Sequence, residues 1–269
     1  MIDREIESLL RESHHQQFAS LEEKLAVKLR EGLTIWPKFV ELCERRNLLT
    51  HTGGIVSHQY LANCSNHKCD VSQISVGDRL QIDAKYFADA VHVMSEIGLK
   101  LGYVFWRKFG KGQRDRADSI LNDECYNLIV NRDYRTAEAI LSFGCDVLRR
   151  GGSDKTRRMM TINLANALRL QKKESNAKKL LDGEDWGAVN DEFAISVAAV
   201  RGEVSHVISL MKRIGGSGRP NIEDYRTWPV FRGMRTNSEF QSAFFEVFGE
   251  AVIVTPSPPP GVPPGEPIH

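Results

Sequence analysis

Apolar residues between positions 118 and 213 return at every third or fourth place in six short segments, each closed by a turn-forming break. The segments fall into three pairs: 118–130 with 134–148, 155–170 with 174–181, and 192–200 with 204–213. The tight turn Asn131-Arg132-Asp133 joins the first pair, and Ala165, Ala167, Leu170 and Ala177 give the second its small and apolar packing positions. A pair of short amphipathic helices cannot bury its own apolar face. Three in succession therefore fold by stacking, and this half of the chain is expected to be helical throughout.

The N-terminal part carries the same period in longer pieces. Ile2, Ile6, Leu9 and Leu10 predict a helix over 2–15. Ser20-Leu21-Glu22-Glu23 reads as a capping box that starts a second helix, with Leu21, Leu25 and Leu29 as its apolar row and Gly32 at its end. A third runs from Trp36, with Thr34 as cap, Pro37 in the first turn, and Phe39, Val40 and Cys43 facing a core; Gly53-Gly54 closes it. Another turn or two over 55–61, a polar loop over 63–77 and an extended piece over 79–82 follow. Asp83 then caps a long helix over 84–108. Its stripe Phe87, Val91, Met94, Leu101 and Val104 belongs in a core or against a second copy of the chain.

Phe109-Gly110-Lys111-Gly112-Gln113 marks a joint. After a glycine-rich break over 215–219, Trp228, Phe231, Phe240, Phe244 and Phe248 predict a lid for the last helix pair, or else an aromatic binding patch. PSPPPGVPPGEP, from Pro256, has no capacity for helix or sheet. The expected domains are a helical bundle over 1–109, a helical repeat domain with its cap over 114–250, and a disordered Pro-rich tail over 251–269.

With 269 residues, 41% apolar and 26% charged, the chain has material for two modest cores. A net charge of +1 excludes a surface coated with positive charge, so any grip on RNA must come from local clusters. Two basic runs are candidates: Lys100, Arg107, Lys108, Lys111, Arg114 and Arg116, then Arg149, Arg150, Arg157 and Arg158. No apolar run approaches membrane-spanning length and the N-terminus lacks a signal-peptide pattern, so a cytoplasmic protein without membrane contact is expected. Five cysteines in that setting are expected as free thiols, with Cys43, Cys125 and Cys145 in the core. Cys64, His67 and Cys69 are zinc-type ligands, but a tetrahedral site needs a fourth and no second matching pair exists; neither metal nor cofactor is expected. Gly151-Gly152 and the glycines at 215–218 lack the lysine and preceding strand of a phosphate cradle.

The end of the third helix gathers the residues with chemical potential: Arg45, Arg46, Asn47 and His51. Asn47 and His51 are four apart and share a helix face. Arg46 lies about 100° round from Asn47, so its side chain must lean across to join them. Arg201 and His206 repeat the bare spacing, without the arginine doublet, the Asn or the closing Gly-Gly. With that context, ERRNLLTHTGG resembles the HEPN ribonucleases, whose signature is Arg-x4–6-His with Asn often beside the Arg. The helix pairs resemble tetratricopeptide repeats, at a repeat length of roughly 34–40 residues.

RNA carries its own nucleophile, the 2′-hydroxyl. A histidine can move protons near neutral pH, and an arginine fork fits phosphate oxygens. The resemblances imply an all-α protein, a HEPN-type bundle followed by an α-solenoid of tetratricopeptide-like helix pairs. They also imply a metal-independent endoribonuclease of toxin–antitoxin or antiviral defence systems. It would work as a homodimer, with Arg46 and His51 catalytic and Asn47 orienting the imidazole or the phosphate. Arg45, Arg107, Lys108 and Lys111 are the expected RNA contacts, and the repeats would dock a partner protein. The alternative is a non-catalytic dimeric scaffold that binds proteins through its repeats. A regulatory nucleic-acid binder is the third reading.

Overall fold

The computed structural model of the chain describes residues 2–252. Regular structure among them is all helical, thirteen α-helices and two 3-10 turns. The extended piece expected at 79–82 is reduced to one backbone bridge between Arg79 and Ile55. The Pro-rich stretch from position 256 lies outside the described residues. Two compact units are present, one ending at Leu101 and the other beginning at Gly102, a division that falls upstream of the joint expected at 109–113.

The first unit contains α1 (Ile2–Arg11), α2 (His14–Leu25), α3 (Trp36–Thr52), α4 (His58–Asn66) and the greater part of α5 (Ala84–Phe109). The second helix starts earlier than Ser20. Ser13 caps it, its N–H donating to Gln16 Oε1 at 3.0 Å, and this placement turns Phe18 edge-on to Trp36 and Phe39. Ser20 sits within the helix and donates to Glu12. Ala26 adopts the left-handed conformation and ends α2, so Leu29 lies beyond it. Glu22 secures that exit by accepting the Leu29 and Arg30 backbone N–H groups, each at 2.8 Å.

Ile35, not Thr34, is the N-cap of α3, and Pro37 occupies its first turn, where no intrahelical N–H is needed. Buried Phe18, Ile35, Trp36, Phe39, Val40, Cys43, Val93 and Ile97 form the main core of this unit. A second cluster holds Leu48, Val56, Tyr60 and Cys64. Part of the expected polar loop is helix: Ser57 caps α4 by accepting the Tyr60 N–H at 3.1 Å, which places Tyr60 and Cys64 one turn apart on its buried face.

Glu41 ties three helices together. Its Oε1 accepts from Arg45 Nε at 2.7 Å and from the Tyr60 hydroxyl at 2.8 Å, and its Oε2 accepts from the Tyr86 hydroxyl at 2.9 Å.

The α5 stripe, expected in a core or against a second copy, turns its N-terminal half away from the core. Phe87 is 62% exposed and Val91 and Met94 are 50% exposed, while His92, Val93, Glu96 and Ile97 are buried. Leu101 and Val104 are half-buried, Leu101 against the main core. The reversal has an electrostatic reason. Glu96 accepts from Lys100 at 2.5 Å and lies 3.5 Å from the His92 ring nitrogen, so a polar face can be buried because its charges meet one another.

In the second unit, α6 (Arg114–Val130) and α7 (Tyr134–Arg149), α8 (Asp154–Leu170) and α9 (Glu174–Asp182), and α10 (Asp191–Arg201) and α11 (Val204–Ile214) form three helix pairs. All three turns are built alike. Arg132, Lys172 and Gly202 are left-handed, and the N–H one residue later reaches the carbonyl five back: Asp133 to Leu128, Lys173 to Leu168, Glu203 to Ala198. Beyond them come α12 (Ile222–Thr227), short 3-10 turns at Pro229–Phe231 and Met234–Thr236, and α13 (Ser238–Phe248). Tyr225, Phe231, Phe240 and Phe244 are fully buried there, with Trp228 stacked on Phe231 at 6.2 Å. α13 packs on α11, so most of the aromatic set serves as packing.

Candidate functional site

The last two turns of α3 carry the candidate residues, and the way this helix ends fixes them. Gly53 takes the left-handed C-cap conformation at φ 61°, and the Gly54 N–H returns to the Leu48 carbonyl at 3.0 Å. Gly54, at φ 87°, accepts from the Leu80 N–H at 2.9 Å, and a Cβ there would stand 2.6 Å from the Leu80 carbonyl oxygen. No other residue fits that approach. The Val56 N–H donates to Asp78 at 2.9 Å, so residues 78–80 brace the helix end.

Within that frame Arg46 and His51 are exposed and Asn47 is half-buried. Arg46 Nη1 donates to the Asn47 side-chain oxygen at 3.2 Å. Threonine hydroxyls add bonds to carbonyls one turn back from the helix end. Thr50 Oγ1 donates to the Arg46 carbonyl at 2.8 Å, and Thr52 Oγ1 donates to those of Leu48 and Ile55 at 3.0 and 3.1 Å. Among the described residues no hydrogen bond engages the His51 side chain, and neither Arg46 nor Asn47 uses its side chain to cap the helix.

Arg45 points elsewhere. It donates to Glu41 and, at 3.3 Å, to the Gln81 carbonyl, and its guanidinium lies 4.1 Å from the Tyr86 ring centroid. Burial works against its charge, but Glu41 and Tyr86 outweigh burial and hold its pKa above the ordinary arginine value. The second Arg-x4-His spacing is also tied up: Arg201 pairs with Asp182 at 2.9 Å and His206 with Glu203 at 3.2 Å.

Of the basic residues at 100–116, Arg107 and Lys108 line a cleft of about 520 Å³ in the second unit, together with Arg114 and Arg150. Lys111 is exposed and does not line it. Arg107 is half-committed to structure. It is bonded to the wholly buried Asp118 carboxylate, which also accepts from the Tyr103 hydroxyl at 2.6 Å, and it donates to the Gly151 carbonyl at 2.9 Å. In the second basic run, Arg157 and Arg158 each pair with Asp154 at 2.7 Å. The sequence does not signal this cleft, because Arg150 meets Arg107 and Arg114 only through the packing of α7 on α6.

Cys64 is fully buried and Cys69 half-buried, and His67 lies against His15 at 4.6 Å rather than beside them as a third ligand. Among the described residues no three His, Cys, Asp or Glu side chains are grouped to hold a metal, and no helix is long and apolar enough to cross a membrane. No family model, curated protein or solved structure matches the chain.

Proposed function

We propose that the chain is a metal-independent endoribonuclease of HEPN type, acting as a homodimer, with helix pairs of tetratricopeptide-like solenoid type that dock a partner protein. The observation that carries the reading is the unused chemistry at the end of α3. None of the Arg46, Asn47 and His51 side chains bonds a helix carbonyl, which leaves an exposed guanidinium held by Asn47 and an exposed imidazole with no hydrogen-bond partner among the described residues.

In this reading His51 of one protomer takes the 2′-hydroxyl proton, and the 2′-oxygen bonds to phosphorus. The bond to the 5′-oxygen breaks, and that oxygen takes a proton from the imidazolium of the second protomer. Arg46 neutralises charge on the phosphoryl oxygens, and Asn47 holds the guanidinium in place. The products are a 2′,3′-cyclic phosphate and a 5′-hydroxyl. The exposed stripe Phe87, Val91 and Met94 on α5 is the face offered to the second copy, since an apolar row one helix side wide is a usual helix–helix seam. The cleft of Arg107, Lys108, Arg114 and Arg150 is the electrostatic track for the RNA backbone. A role in toxin–antitoxin or antiviral defence follows from the resemblance.

Incubating the purified protein with mixed RNA in EDTA and assaying cyclic-phosphate ends tests the reading. Cleavage that His51→Ala abolishes supports it, and cleavage that survives the substitution overturns it. The second reading, a non-catalytic scaffold that binds proteins, is favoured by a cavity in the second unit and requires no cleavage at all.

A further inference from the structure

A second cavity of the helix pairs, about 340 Å³, has the opposite character to the basic cleft. α6, α8 and α10 contribute its walls and the 3-10 turn at Pro229–Phe231 closes one side. Tyr126, Phe193 and Trp228 make it aromatic, and the stack of Trp228 on Phe231, at 11° between planes, fixes the indole. Two carboxylates, Asp123 and Glu192, also line it, and no lysine or arginine does. Neither carboxylate has an ion pair among the described residues. Most acidic side chains of this unit are matched: Asp118 with Arg107, Glu138 with Lys173, Asp154 with Arg157 and Arg158, Asp182 with Arg201, Asp191 with Arg213. Asp123 and Glu192 belong to the minority without an ion pair, and both border the same aromatic hollow.

Aromatic faces and carboxylates without a direct ion-pair partner around one cavity share one complement, a cation on an apolar stem; the Arg219 charge acts on Glu192 only at longer range. The rings attract the charge through their quadrupole and cover the methylenes, while the carboxylates supply directed acceptors. A guanidinium satisfies both better than an ammonium, because its plane stacks on indole and its fork reaches two acceptors. The wall also offers amides. Asn163 Nδ2 donates to Asn122 Oδ1 at 3.0 Å, which leaves the Asn163 oxygen and the Asn122 amide nitrogen for a ligand, the donor and acceptor that a peptide backbone needs.

We propose that this cavity is a recognition site for an arginine side chain of a partner polypeptide. The proposal deepens the partner-docking half of the reading above and stands independently of RNA cleavage.

Calorimetric titration of the full chain with the blocked tripeptide N-acetyl-Leu-Arg-Leu-amide tests it, with the citrulline peptide as the neutral isostere. The arginine peptide should bind about tenfold or more tightly than the citrulline peptide, as expected when charge and cation–π attraction are removed together. Asp123→Asn and Glu192→Gln should each weaken the arginine peptide by about threefold to tenfold and leave the citrulline peptide unchanged, with circular dichroism confirming the fold. The His51→Ala protein should bind as the unmodified chain does, so loss of nuclease activity and loss of peptide binding are separable. Equal affinity for the two peptides, no binding of either at about 10 mM, or indifference to both substitutions overturns the assignment.

Discussion

Arg46 donates to the side-chain oxygen of Asn47, its neighbour in sequence, although a helix sets adjacent residues about 100° apart. That bond ties the guanidinium to a residue on the face that Asn47 shares with His51. Removing the three groups should therefore have graded effects. His51→Ala should lower kcat/KM on a short RNA by at least about a hundredfold, the scale of a lost proton-transfer group. Arg46→Ala should cost about a hundredfold to a thousandfold, and Asn47→Ala only about tenfold, because the arginine keeps its charge but loses its orientation. Single-turnover cleavage in EDTA measures all three, and an Asn47 effect equal to that of His51 would contradict the order.

Glu41 is the most shared side chain of the first unit. Glu41→Gln leaves the half-buried Arg45 without a carboxylate and turns one of the tyrosine acceptors into a donor. Urea denaturation should show a loss of about 2–4 kcal/mol. Glu44→Gln, which touches only the Asn63 amide at 3.1 Å, should stay within about 1 kcal/mol.

Arg107 and Lys108 are adjacent in sequence and should separate cleanly on mutation. Arg107→Ala strands the Asp118 carboxylate, wholly buried with its second oxygen unpartnered, and should destabilise the chain by about 3–5 kcal/mol. Lys108→Ala, at an exposed side chain over the Phe109 ring, should cost no more than about 1 kcal/mol. If RNA follows the cleft, it should also lower the salt slope of RNA binding by about one. An unchanged slope would remove Lys108 from the interface.

Burial holds the pKa of His67 below the ordinary imidazole value, with His15 and Arg30 adding to the effect and Glu44 opposing it. The sign follows. The neutral ring is preferred when folded, so stability is intact above the reference value of 6.5 and is lost as pH falls from there through the lower folded value. His67→Gln should flatten the fall in melting temperature between about pH 7 and pH 5. A slope that persists unchanged places the titration elsewhere.

The helix pairs of the second unit were legible because local sequence alone decides them. The turn at 131–133, the gap between 200 and 204, and the break at Gly215 coincide with observed helix ends, and the small residues Ala165, Ala167 and Ala177 are buried inside α8 and α9. The end of α3 was legible for the same reason, through Gly53-Gly54. Legibility failed where tertiary charge pairing outranked periodicity. The stripe left a core and a second copy both open, and it is the meeting of Glu96 with Lys100 that lets His92 and Glu96 be buried while Phe87, Val91 and Met94 are exposed. The α2 start was missed because Ser13-His14-His15-Gln16 and Ser20-Leu21-Glu22-Glu23 offer similar capping patterns, and the burial of Phe18 selects the first. Nothing in the sequence marks Arg45, expected as an RNA contact, as tied into the fold. Only the distant Tyr86 and Gln81 draw it away.

Gly54 has one more consequence. Its backbone is clasped by Leu80 so closely that the peptide following His51 has almost no freedom left. The entropy of arresting the backbone beyond His51 is spent during folding and not when a ligand arrives, so the main chain there is preorganised although the exposed ring is not held. A residue as small as alanine at position 54 would return that disorder to the helix tip, and affinity for any ligand held by His51 would fall with it, even while the helix itself survived.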